Sequence, residues 1–145
     1  MNNEEKNGLK LIGENENDLK VISAYLQDSI VIVKDIVFLK KNKTFIMVLN
    51  RFMWEDAFKE NKRIRCAVKF EEVIKVQSKN VNQKNKKKPL EYLAIELIKI
   101  SNGCFKIKIF FSGGGIITII SEVIEVALND LGSPWNVKYF PAHKI

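Results

Sequence analysis

Apolar and polar residues alternate through most of the chain, and the alternation breaks in only a few places. From Ile30 the run IVIVKDIVFL is β-branched and aromatic, interrupted by Lys34 and Asp35, so the pattern predicts two short strands. Lys40 to Lys43 is a polar turn, and TFIMVLNRF reads as the returning strand. Ile64, Cys66, Val68, Phe70, Ile74 and Val76 then alternate along one face of a long strand. Glu72 is the lone polar member of that face, which predicts a bend or bulge there. Residues 90–120, LEYLAIELIKISNGCFKIKIFFSGGGIITII, read as three consecutive antiparallel strands. A two-residue turn at Asn102-Gly103 sets Ile100 opposite Phe105, Ile98 opposite Ile107 and Ala94 opposite Phe111. Ser112 to Gly115 turns the chain again, into Ile116–Ile120.

Two stretches change to a helical period. Asn15 with Asp18 three residues on reads as an N-cap, and Leu19, Ile22, Tyr25 and Leu26 share one face, predicting a helix over 16–28. Val123, Ile124, Ala127, Leu128 and Leu131 suit a second helix, from a Ser121 cap to a Gly132 stop, with a strand through Val126 as the alternative. Leu9 to Ile12 reads as a short edge strand, and Met53 to Lys59 as a short helical turn. Pro134 and Pro141 keep the tail extended. The expected fold class is α+β in a single domain over 1–145. It is a curved antiparallel sheet or meander of about seven strands with an N-terminal and a C-terminal helix, in the element order of a pleckstrin-homology-like barrel. Residues 1–8 read as a disordered tail.

Composition adds bounds. Hydrophobic residues at 46% and charged residues at 28% are ordinary for a soluble domain. No apolar run approaches the roughly 18 residues of a membrane span. The start MNNEEKNG is no secretory signal, so a cytoplasmic protein is expected. Cys66 and Cys104 both fall in expected strands and read as reduced thiols. With a single histidine, His143, and no C-x-x-C, neither a metal site nor a cofactor is expected. The net charge is +7, but residues 78–89, SKNVNQKNKKKP, hold five lysines and no acid. The basicity belongs to one polar segment, which reads as a mobile lysine-rich loop.

Several stretches carry a family resemblance: AYLQD at 24–28, VLNRFMWE at 48–55, FSGGG at 111–115, LNDLGSPW at 128–135 and PAH at 141–143. On these the chain resembles the bacterial domain-of-unknown-function family 2948, from about Leu9 to His143. The lysine segment departs from the family pattern and looks like a private insertion. The resemblance implies one compact bacterial domain and supplies no activity.

Among candidate chemistries, Gly113-Gly114-Gly115 lacks the following helix and the G-K-[ST] of a phosphate loop, so a tight hairpin with a bulge is the better account. Glu71 and Glu72 are strand neighbours facing opposite ways and cannot share a proton. Asn50, Arg51, Trp54 and Glu55 form the most informative polar group, at a strand end where binding residues often sit. Arg51 can take a carboxylate or phosphate in two-point fashion, and the Trp54 indole can wall a pocket. Against this stands an internal tie, with Arg51 paired to an acid such as Asp28 and Trp54 plugging the end of the sheet. Three functions follow, in order of preference. The first is a non-enzymatic module binding a protein or small anionic ligand through Asn50, Arg51, Trp54, Glu55 and Asp28. The second is non-specific nucleic-acid binding through the lysine segment. The third is an enzyme with its site at Asn50, Arg51 and Glu55, whose sign would be a deep pocket where these converge with Asp28 or His143.

Overall fold

The computed structural model describes residues 8–99 and 102–141. His143, the Ile100–Phe105 pairing and residues 1–7 of the expected tail lie outside the described residues. The elements in order are β1 (Lys10–Gly13), α1 (Glu16–Tyr25), β2 (Ile30–Leu39), β3 (Thr44–Phe52), β4 (Lys62–Phe70), β5 (Val73–Lys79), β6 (Pro89–Lys99), β7 (Phe105–Phe111), β8 (Ile116–Ser121) and β9 (Val126–Asn136). All strand pairs are antiparallel, in one open sheet ordered β1-β9-β4-β3-β2-β6-β7-β8-β5.

Each half of this sheet buries alternate residues, as period-two sequences must. Met47, Leu49, Val68 and Leu128 from one half join Ile107, Ile109, Ile117 and Ile119 from the other in a single core cluster. The curved sheet therefore wraps one core. Helix α1 adds Leu19 and Ile22 to it, and Leu26 follows from the C-cap. Its start is the expected one: Asn15 has extended backbone and its side-chain oxygen accepts from the Asp18 N–H. The helix then stops at Tyr25, and Asp28 takes a left-handed φ of 63° as the chain turns into β2.

The expectation of about seven strands and two helices is overturned. The sequence expected to form a C-terminal helix over 121–132 instead gives β9, which lies between β1 and β4. Val126 and Leu128 are buried and Ala127 between them is less so, a strand alternation hidden inside a helix-compatible spacing. With no helix there to close it, the pleckstrin-homology-like barrel falls too. The long strand expected from Ile64 to Val76 is two strands far apart in the sheet. Glu72, with φ 55°, turns the chain from β4 to β5 at the opposite edge. The two short strands expected from Ile30 are one strand with a register shift between Val31 and Ile36.

The β6–β7 register also differs by one residue. Leu97 faces Ile107, Ile95 faces Ile109 and Ala94 faces Phe110. Opposed residues share a face, so the register with Ile98 against Ile107 would have set Glu96 beside buried Ile109. The observed one sets Glu96 against Lys108. Gly103, with φ 82°, still turns the chain, but in a loop longer than two residues. Cys104 sits in that loop, just before β7, rather than in a strand.

Candidate functional site

β3 and β4 deliver the polar group that the sequence singled out to one end of the sheet. Arg51 lies near the end of β3, opposite Ile64. Its side chain is completely buried, an expensive place for a cation unless its donors are matched. They are matched. Nε donates to Asp130 Oδ1 at 2.8 Å and Nη2 to Asp130 Oδ2 at 2.8 Å. Nη1 donates to Glu55 Oε1 at 3.0 Å and Nη2 to Glu55 Oε2 at 2.7 Å. Nη1 also reaches the Phe52 carbonyl at 3.4 Å, so all five guanidinium hydrogens are directed at oxygen. The guanidinium carbon stands 5.7 Å from the Tyr25 ring centre. Burial alone would push the Arg51 pKa down, but the bonds and charges of Asp130 and Glu55 outweigh it and hold it above its ordinary value.

Two backbones fix these partners. Asp130 sits on β9, one residue beyond the β1–β9 ladder. It accepts the Leu9 N–H at Oδ2 (2.8 Å), while its own N–H donates to the Leu9 carbonyl (2.9 Å). Glu55 is placed by the 3-10 turn Trp54–Asp56 that ends β3, four residues after Arg51. Their exposure differs: the Asp130 side chain is 1% exposed and that of Glu55 is 30%. Glu55 and Asp130 share a cleft of about 700 Å³ with Asp56, Lys62, Gly132 and Ser133.

Trp54 anchors the same turn elsewhere. Its Nε1–H donates to the Gln27 carbonyl at 3.0 Å, tying the end of β3 to the turn after α1. Its ring meets Phe52 and Phe140 edge-on, with centroids 4.7 and 5.4 Å away. Arg63, opposite Phe52 on β4, donates Nη1–H to the Asp28 and Asn50 carbonyls at 3.1 and 3.0 Å. Burial lowers the Arg63 pKa, and the charges of Asp28 and Glu91 offset part of that.

The five expected residues thus divide. Arg51 and Glu55 meet directly. Asn50 and Asp28 enter through their backbone oxygens, both held by Arg63, and Trp54 braces the turn. Asp28 is buried but is not an acid bonded to Arg51; Asp130 fills that role. Asp130, Arg63 and Phe140 are the residues that sequence reasoning missed. Asp130 fell inside the expected second helix, although its stretch, LNDLGSPW, is one of those carrying the family resemblance.

Three of those stretches converge here. AYLQD supplies Tyr25 and Gln27, VLNRFMWE supplies Arg51, Trp54 and Glu55, and LNDLGSPW supplies Asp130. FSGGG lies on another turn, where the Gly114 carbonyl accepts from Asn80. Among the described residues no cluster of histidine, cysteine and acid side chains could hold a metal, and no helix is long and apolar enough to cross a membrane. No curated protein and no solved structure matches the chain. The sequence does match the family described as "Protein of unknown function (DUF2948)" over residues 9–143, nearly its whole length, and the chain belongs to that family.

Proposed function

We propose that the protein is a non-enzymatic binding module that engages a protein partner at the end of the sheet built on Arg51. The carrying observation is the apolar surface around this tie. Phe58 is fully exposed, Tyr139 is 77% exposed, and Phe140 and Trp135 are about half exposed. Aromatic residues with water-facing rings concentrate at protein interfaces, because each buries a large area with few rotatable bonds. Trp135 stands opposite Arg63 on the sheet, and Arg63 in turn lies 5.8 Å from the Phe52 ring centre, so rigid strands back the patch.

The chemistry beneath supports binding over catalysis. A free Arg51 would suit an anionic ligand, but its hydrogens are already committed to carboxylates and a carbonyl. Glu55 and Asp130 are held by the same cation, both oxygens of each accepting from Arg51, so neither carboxylate is free to meet a substrate.

A photo-crosslinking side chain placed at Tyr139 in the expressed protein should yield a discrete heavier species. The same group at Lys106, on β7, should not. Phe58→Asp, with the crosslinking side chain kept at position 139, should abolish that species while leaving the thermal midpoint unchanged. Equal labelling from both positions, or none from Tyr139, would defeat the reading.

A further inference from the structure

β5 and the second half of β2 each present an edge without a partner strand among the described residues. β5 ends the sheet and pairs only with β8. β2 pairs with β6 only over Ile30–Ile32, so its second half has β3 on one side and no strand on the other. A cavity of about 280 Å³ lies between these edges. Its floor is apolar: Val33, Phe45 and Ile117 are buried, and Ile36, Phe38 and Val76 partly so. Its rim is polar, made by the exposed residues Ser78, Gln83 and Lys86.

Hydrogen bonds fix both ends of this seam. At one, the Val73 N–H donates to the Lys43 carbonyl at 2.8 Å. At the other, the Val33 and Lys34 N–H groups donate to the Lys88 and Lys86 carbonyls at 3.1 and 2.9 Å. The space between is a pocket rather than a continuous groove, near the lower end of the roughly 300–1,000 Å³ typical of ligand sites. Residues 73–89 hold six lysines and no acid, so the field at the rim is positive. The acid on β2, Asp35, lies 3.8 Å from Arg65 of β4. Gln83 donates to the Ser78 hydroxyl oxygen at 2.7 Å, which leaves the Ser78 hydrogen to donate outward.

We propose that this pocket binds a small amphipathic anion, an unbranched aliphatic carboxylate. The hydrocarbon chain lies on the Val33, Phe45 and Ile117 floor. The carboxylate accepts from the Lys86 ammonium and the Ser78 hydroxyl. The site is separate from the Arg51 end of the sheet, and its test is independent of the proposed partner surface.

The test is calorimetric titration of the full chain with octanoate, octanol and octylammonium. Octanoate should saturate at one equivalent, octanol should bind about tenfold more weakly for want of charge-assisted bonds, and octylammonium should not bind. Lys86→Glu should weaken octanoate by at least about tenfold and leave octanol unchanged. Val76→Trp, filling the pocket, should remove both ligands. Equal affinity for octanoate and octanol, indifference to Lys86→Glu, or no saturation by octanoate would each overturn the assignment. The wild-type ligand series decides the matter even if Val76→Trp does not fold.

Discussion

Arg51 and Asp130 stand 79 positions apart in the chain and meet in a two-point fork, with both hydrogen bonds 2.8 Å long. The contact joins β3 to β9 across the intervening β4, and Asp130 carries Leu9 with it through two further bonds. One buried ion pair thus connects the N-terminal segment, the sheet interior and the C-terminal strand. Such a pair need not add net stability over an apolar equivalent, but breaking it strands a charge without water.

Arg51→Ala is therefore expected to cost about 3–5 kcal/mol, read as a drop in the urea midpoint. Asp130→Ala should cost nearly as much, and Glu55→Ala clearly less, because water reaches the half-open Glu55 site. Arg51→Lys should recover only part, since an ammonium keeps the charge but cannot span both carboxylates in a plane. An unchanged midpoint in Arg51→Ala would remove the structural role of the tie.

Cys66 lies opposite Asp130 in the β4–β9 ladder and is fully buried. Burial pushes its thiol up to about 12 from an ordinary 9.0, with the Arg51 charge pulling the other way and Asp130 adding to the rise. A raised pKa means that the folded state holds the proton more tightly. Its stabilising contribution is complete below about pH 9 and is lost as pH rises towards about 12. In urea titrations across that window, Cys66→Ala should lose stability less steeply than wild type. A thiol reagent at pH 8 should modify Cys104, which is partly exposed, and spare Cys66.

Much of this fold was legible where one local pattern dominated. Asn15, Leu19 and Ile22 specify α1 from a cap and a face, and the runs behind β3, β4, β7 and β8 each alternate cleanly. Residues 121–132 were not legible, because Val126 and Leu128 satisfy a strand while Ile124, Leu128 and Leu131 satisfy a helix. Pairing with β4 and β1 decides between them, and that is long-range information. The turn signal at Asn102-Gly103 located a reversal but not its loop length, so the register slipped by one. At the site, Arg51 and Glu55 announce themselves as neighbours four residues apart, whereas nothing local couples Arg51 to Asp130.

The lysine-rich segment carries more contacts than its composition implies. Its Lys86 and Lys88 carbonyls hold the edge of β2, and Val81 packs against the core. Its side-chain charges face water. Changing Lys79, Lys84, Lys86, Lys87 and Lys88 together to Gln should leave the melting temperature unchanged. Replacing 82–88 with Gly and Ser keeps those backbone carbonyls but loosens the chain that presents them, and should instead cost about 1–2 kcal/mol. Retention on a low-salt nucleic-acid column should vanish in the Gln variant, because only phosphate attraction would support it. Retention that survives would place the contacts on the sheet itself.

Two serines flanking the end of α1 make opposite use of their hydroxyls. The Ser23 hydroxyl bonds to the Tyr92 phenol at 2.6 Å and accepts the Ile95 N–H at 3.1 Å, joining the helix to β6. The Ser29 hydroxyl is fully buried with no hydrogen-bond partner among the described residues. Only its backbone is engaged, the carbonyl accepting from the Tyr92 N–H at 2.8 Å, and alanine would keep that bond. Ser23→Ala leaves the Ile95 amide short of its partner and the Tyr92 phenol with only its 3.4 Å bond to the Ser23 carbonyl, and should cost about 1–3 kcal/mol. Ser29→Ala removes a desolvated hydroxyl that gains nothing in return, so stability should hold or rise slightly. Tyr92→Phe should cost less than Ser23→Ala, because it leaves the bond from Ile95 in place. Urea midpoints for the three variants settle the order. A loss in Ser29→Ala as large as that in Ser23→Ala would mean that the Ser29 hydroxyl is bonded after all, and that the start of β2 sits differently against the helix.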